Sequence, residues 1–264
     1  MAWADGLFHA LSALLALVGA VLIQVGTNFH NDYSDFEKGT DRPDRAGPTR
    51  ATAAGLATPA QMRRATIAVF AVAVASGVYL MIRGGWLIVA VGFSSILFGV
   101  LYTAGRKSLA YLGIADVFVL VFFGPVAVAG TYYVQALSLH PAPVIAGFGP
   151  GLLSMAILLV NNIRDAEGDA AAGKRTLVVR LGRPAGRTLY ALSVAGAAAV
   201  AVWVAFSPAG HPASALAALV AIPGYFMWRT VVREMTGPAL NPVLGRTAAL
   251  GLAWSLLFSI GCLI

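Results

Sequence analysis

Cysteine is almost absent from this 264-residue chain, and Cys262 alone can form neither an internal disulfide nor a cysteine-rich metal site. Charge is scarce too: charged residues make up 11% of the chain. A soluble globular domain carries about 25%, so that kind of surface is excluded. The four histidines, His9, His30, His140 and His211, are scattered and give no zinc-type spacing. No serine nucleophile elbow or other triad pattern occurs. Gly173-Lys174-Arg175-Thr176 invites comparison with a phosphate-binding loop, but no strand and no correctly spaced glycine precedes it, which rejects that motif. The first apolar run lacks a basic leading region and a clear cleavage site, and carries Asp5 instead. It does not read as a signal peptide.

What the chain has is apolar length. Hydrophobic residues make up 59% of it, and the mean hydropathy is +0.80. A membrane crossing takes roughly 20 such residues. Eight candidate spans lie near 7–28, 65–82, 85–103, 113–136, 142–163, 187–206, 213–230 and 243–263. The pattern predicts an all-α, polytopic transmembrane bundle, with residues 1–264 forming one membrane-embedded domain. Pro125 in the fourth span, and Gly147, Gly149 and Pro150 in the fifth, predict helix breaks where protein or a cavity covers them. Asp116, which opens the fourth span, reads as a helix N-terminal acid favoured by the macrodipole.

Seventeen of the 18 Lys and Arg fall in four alternate loops, 29–64, 104–112, 164–187 and 229–246, leaving only Arg83 on the opposite side. The positive-inside rule makes those four loops cytoplasmic and both chain ends external. The net charge of +7 then belongs to a basic membrane protein with a polyanionic substrate or anionic lipid, rather than to a nucleic-acid binder.

The remaining polar residues gather in two stretches on that basic side. From Asn28 to Asp41, four carboxylates, two amides and a lysine crowd into fourteen residues. Asn28, Asn31 or Asp32, and Asp35 recur at i, i+3/i+4 and i+7, which is one face of a helix. Asn161, Asn162, Arg164, Asp165, Glu167 and Asp169 repeat the idea at the end of the fifth span. Hard oxygen donors at helix ends suit a divalent cation and, through it, a polyanion. Two such clusters facing each other would hold two ions. Lys38, Arg42 and Arg50 beside the first cluster, Arg106 and Lys107 in the short 104–112 loop, and Lys174 and Arg175 beside the second are candidate phosphate partners, with Arg106 and Lys107 equally readable as topology signals. Arg63 and Arg64 read as topology signals. A lipid diphosphate fits this pattern: metal and basic residues would neutralise it as it departs, and apolar walls would shield an allylic carbocation from water.

Asn31-Asp-Tyr-Ser-Asp35 with Asp41, and Asp165-x-x-x-Asp169, resemble the two signatures of the UbiA-type membrane prenyltransferases. Asn31-Asp-Tyr-x-Asp35-x-x-x-Gly39-x-Asp41, Asn161-Asn-Ile-Arg-Asp165-x-x-x-Asp169-x-x-x-Gly173-Lys-x-Thr-Leu177 and Leu240-Asn-Pro-Val-Leu244 narrow the resemblance to the 1,4-dihydroxy-2-naphthoate polyprenyltransferase branch of menaquinone synthesis. Tyr102-Thr-x-Gly105 and Phe122-Phe-Gly124 fit as well.

The resemblance implies transfer of a polyprenyl group from polyprenyl diphosphate to 1,4-dihydroxy-2-naphthoate in the plasma membrane, with loss of carbon dioxide and diphosphate. It implies Mg2+ held by Asn31, Asp32, Asp35, Asp41, Asn161, Asp165 and Asp169, with Asp35, Asp165 and Asp169 central to catalysis. Asn28, Lys38, Arg42, Arg50, Arg106, Lys107, Arg164 and Lys174 would meet the substrate. Family members resemble one another in having nine spans and a cytoplasmic N-terminus, so eight spans imply that the family's first helix is missing. Alternatives are a sister enzyme taking 4-hydroxybenzoate, haem or a chlorophyll precursor, a cation transporter, and a structural membrane protein. A transporter would be expected to place its acids at mid-membrane, whereas here both clusters sit at helix ends.

Overall fold

The computed structural model describes residues 1–39, 47, 49–105, 108–208, 210–233 and 237–264, and these hold helices and no strand. In chain order the helices are α1 (Ala10–Glu37), α2 (Pro59–Leu101), α3 (Leu109–Leu112), α4 (Ala115–Val121), a π-helical turn (Phe122–Val126), α5 (Ala127–Ala136), α6 (Pro141–Ala171), α7 (Leu177–Leu181), α8 (Arg183–Ala205), a 3-10 segment (Pro212–Val220), α9 (Ala221–Arg233), a second 3-10 turn (Gly237–Leu240) and α10 (Asn241–Gly261). Seven helical stretches are long and apolar enough to cross a membrane. One of them, α2, has 43 residues, about 65 Å at 1.5 Å per residue and twice the hydrocarbon thickness. It breaks at Gly85, whose φ of 67° lies in the left-handed region where glycine is at home. The eight apolar segments of the sequence are therefore all present, two of them joined end to end.

Arg83 lies beside that break. Its Nε and Nη2 donate to the carbonyls of Val134 and Gln135 at 2.7 and 3.1 Å, satisfying the C-terminal end of α5. The basic residue that stood apart in the loop-charge pattern thus has a local partner.

The packed core belongs to the second half of the chain. Ala156, Leu159, Val160 and Ile163 of α6, Tyr190, Ala197 and Ala201 of α8, Ala217, and Val243 and Trp254 of α10 form one buried cluster. Alanine on α8 lets neighbouring backbones come close, and Trp254 fills the space and donates to the Ala197 carbonyl at 2.9 Å. In the first half, α1 packs chiefly on α2. Leu11, Leu14, Leu17 and Val21 of α1 are exposed, as lipid-facing positions are.

Of the two expected breaks, one is present. Gly124 leaves helical geometry at φ −112° and ψ −110°, one residue before Pro125. The fifth span, by contrast, runs unbroken through Pro150 as α6. Its glycines serve close approach instead. A Cβ on Gly151 would lie 2.4 Å from the Leu120 carbonyl oxygen and 2.9 Å from the Gly124 Cα, and one on Gly149 would lie 2.2 Å from the Trp254 ring. The break in the fourth span and the smooth face of α6 are complementary halves of one crossing.

That crossing makes a prediction. Gly151→Ala meets backbone on both sides and should lower the melting temperature of the detergent-solubilised protein by several degrees. Gly130→Ala, with nothing within 4 Å of its Cβ, should be neutral or gain up to about 1 kcal/mol from helix propensity. Equal melting curves for the two variants would contradict the close-packed crossing.

Candidate functional site

Asn31, Asp32 and Asp35 lie within the last turns of α1 and are buried. The polar motif is thus part of the helix rather than of the loop after it. Asn31 Oδ1 accepts from Thr103 Oγ1 at 2.7 Å. The Thr103 carbonyl in turn accepts from Ser34 Oγ at 3.4 Å and from Lys38 Nζ. Thr103 therefore ties the end of α1 to the end of α2. Asp32 turns the other way: its two oxygens accept from the Ala51 and Thr52 amides at 3.0 and 2.9 Å. That carboxylate organises the returning loop and is not among the cavity-lining residues. Asn28, two turns deeper in α1, is exposed and also outside the lining.

The loop held by Asp32 delivers Arg50, whose Nη2 lies 3.8 Å from Asp35 Oδ2. From the other side Lys174 Nζ lies 3.7 Å from the same oxygen. Lys38 and Lys174 both sit over the Tyr111 ring, 5.1 and 5.8 Å from its centroid. Burial pulls the Lys38 ammonium below the ordinary lysine range, with Asp35 opposing that shift and Lys174 adding to it.

The second set is built on the end of α6. Arg164 is buried, and its guanidinium forks onto Asp165: Nε to Oδ1 at 2.8 Å and Nη2 to Oδ2 at 2.6 Å. The same group donates to Asn161 Oδ1 at 2.6 Å and to Asn241 Oδ1 at 2.9 Å. One planar cation thus fixes an acid, an amide from the preceding turn and the start of α10. Thr176 caps α7 through the Val179 amide and closes the return loop behind Lys174.

Asn31, Asp35, Arg50, Asn161, Arg164, Asp165, Asp169 and Lys174 all line one cavity of about 550 Å3. Of the sequence-derived candidates, Asp41, Arg42, Arg106 and Lys107 lie outside the described residues. Lys38 is outside the lining and engaged with Thr103. The sequence does not single out Thr103 and Tyr111 as working parts of this end, and it marks Asn162 only as one of the donors of the second cluster. Thr103 and Asn162 stood inside quoted motifs, but Tyr111 carried no signal. Tyr102 also lines the cavity, and burial pushes its phenol well above the ordinary tyrosine range, with Asp116, Asp35 and Asp169 adding to the shift. Further along α2 and α4 from Tyr102 and Asp116, outside the cavity lining, Phe98 packs 4.6 Å from Phe118 and 5.2 Å from Phe122 between ring centroids.

With this polar, mixed-charge cavity described, the chain can be set beside known proteins that resemble it. A 1,4-dihydroxy-2-naphthoate octaprenyltransferase of Escherichia coli (strain K12) is 39% identical over 271 residues, covering 99% of this chain and 87% of that protein. The protein of the same name from Mycobacterium tuberculosis (strain ATCC 25618 / H37Rv) is 40% identical over 248 residues, 92% of this chain and 82% of its own length. A solved structure concerning digeranylgeranylglyceryl phosphate synthase in membranes superposes with a TM-score of 0.63 at 17% identity, covering 97% of this chain and 87% of the other, which bears on the fold alone. The model of the UbiA prenyltransferase family matches residues 1–242. Sequence, helical architecture and the two oxygen-donor clusters agree: the chain belongs to the UbiA prenyltransferase family.

Proposed function

We propose that this membrane protein transfers a polyprenyl group from polyprenyl diphosphate to 1,4-dihydroxy-2-naphthoate, releasing diphosphate and carbon dioxide and giving demethylmenaquinone. The observation that carries the reading is the pair of oxygen-donor sets from α1 and α6 lining one mixed-charge cavity at the end of an apolar bundle. The names of the relatives at 39% and 40% identity supply the acceptor.

The donor set fits magnesium. Asn31, Asp35, Asn161, Asp165 and Asp169 offer hard oxygens, and no group of three carboxylates or histidines among the described residues forms a closed cage. Magnesium commonly takes one or two carboxylates and completes its shell with water and substrate phosphate, so an open donor set suits it. When bound, it supplies Lewis-acid stabilisation of charge on the departing diphosphate.

The chain's own groups do the rest. Arg50 and Lys174, at long range from Asp35, are placed to turn onto a diphosphate, whose denser negative charge outcompetes one carboxylate. Arg164 is fully engaged and acts as a positioning residue for Asn161 and Asp165. Tyr102 offers a hydroxyl to an incoming anion. The apolar Phe98–Phe118–Phe122 cluster lies next to the cavity lining, where it would help keep water from the reacting carbon so that the acceptor ring captures it. By the distribution of basic residues, the mouth faces the cytoplasm from the plasma membrane.

The decisive assay uses the protein in lipid nanodiscs with magnesium, a polyprenyl diphosphate and either 1,4-dihydroxy-2-naphthoate or 4-hydroxybenzoate. A demethylmenaquinone mass with the first acceptor and no prenylated product with the second is expected; the reverse would replace the acceptor. Asp35→Asn and Asp165→Asn keep shape while removing an anionic donor. Each should cost about 3 kcal/mol in the transition state, about a hundredfold in rate. Exposed Glu37→Gln should stay within about twofold of wild type. Undiminished transfer in Asp35→Asn would defeat the cluster reading. For orientation, cysteines placed at Ala53 and Gly173 should react with an impermeant thiol reagent only from the cytoplasmic side of oriented vesicles. Reaction from the outer side would invert the topology.

A further inference from the structure

Asp116 is read from its sequence position as a plain helix N-terminal acid, and its surroundings point elsewhere. Its side chain is 1% exposed and lines the cavity. Asn162 Nδ2 reaches Oδ1 at 3.5 Å, while Oδ2 is buried with no hydrogen-bond partner among the described residues. Neither Arg50, Lys174 nor Arg164 forms an ion pair with it among the described residues. A buried carboxylate oxygen left without a donor costs free energy unless a donor arrives. It shares the cavity lining with Tyr102, at the boundary between those polar residues and the Phe98–Phe118 pair packed outside the lining, Phe118 being two residues further along α4.

An amphiphilic ring with phenolic hydroxyls would place its polar edge at that boundary. We propose that Asp116 is a catalytic base that binds and deprotonates the acceptor's ring hydroxyl, with Asn162 holding the carboxylate in position. This rests on the acceptor reading above. In the step, the acceptor O–H bond breaks and its proton passes to Asp116 Oδ2. The oxygen's electron density enters the ring, and the ring carbon bearing the carboxylate forms a bond to the terminal prenyl carbon. The bond from that prenyl carbon to the diphosphate oxygen breaks, its electron pair leaving with the diphosphate. The carboxylate then departs as carbon dioxide, its bonding pair returning through the ring to the oxygen, which takes the proton back from Asp116. Atoms and charge balance without any oxidant or reductant. Tyr102, held protonated, cannot serve as the base and donates instead.

The test compares wild type, Asp116→Asn and Asn162→Ala in nanodiscs at one fixed pH, with 1,4-dihydroxy-2-naphthoate and with a ring-fluorinated analogue whose hydroxyl is already ionised at that pH. For Asp116→Asn, kcat with the ordinary acceptor should fall about a hundredfold or more. The loss should be under about tenfold with the pre-ionised acceptor, which needs no base. The KM for prenyl diphosphate, and magnesium-dependent binding of a non-reacting prenyl thiolodiphosphate, should stay within about twofold, which also reports an intact fold. Asn162→Ala should raise the acceptor KM while leaving that for prenyl diphosphate unchanged; if Asp116→Asn does not fold, this split decides, and equal changes in both KM values overturn the proposal. Equal losses with both acceptors, or a kcat within twofold of wild type, would likewise overturn it while leaving the transferase reading intact. A wild type that turns over neither acceptor would overturn both.

Discussion

Like charges at the mouth of an apolar bundle repel one another, and the construction of this end of the molecule follows from holding them together. Asp35 lies between Arg50 and Lys174, and Asp165 is locked into the Arg164 fork. The two acids are neutralised in different ways. The fork is bidentate and buried, with every distance under 3 Å, so opening it would leave an uncompensated buried charge. Lys174 and Arg50 stand 3.7 and 3.8 Å from Asp35 and are flexible side chains. One acid is therefore anchored while the other has exchangeable partners, which is what a site needs if it is to admit a polyanion without losing its frame.

Much of this was legible in the sequence, and the rest was hidden for identifiable reasons. The spans followed from apolar length, and both donor stretches from the rarity of charge, which makes seven charged or amide residues in fourteen stand out. The direction of each carboxylate was not legible. Asp32 and Asp35 are three residues apart on one helix, yet one caps the backbone of a returning loop and the other faces the cavity. That choice is made by residues 51 and 52, far along the chain. Arg164 read as a substrate contact because its charge is all a sequence displays. Its engagement with Asn241 joins residues 77 apart. The unbroken α6 was missed for a related reason: glycine signals either a bend or a close neighbour, and only the partner helix decides which.

The position of Tyr111 shows what remains invisible to motif reading. An aromatic ring beneath two ammonium groups lets Lys38 and Lys174 share a small volume that mutual repulsion would otherwise forbid. It sits in the single-turn helix α3, too short to carry any periodicity that would mark it. Such a ring sets where cationic side chains rest before any ligand arrives.

Both donor sets ride on the last turns of long helices, 28 residues in α1 and 31 in α6, and not on independently sprung loops. Those two helices make their main contacts elsewhere, α1 on α2 and α6 on α8, α10 and the π-helical turn. The gap across the mouth is therefore governed by how steeply each rod leans in the bilayer. Helices answer a thicker or thinner hydrocarbon layer by changing their lean. A change of lean in either rod would carry its whole donor set with it, because each set belongs to the rod itself.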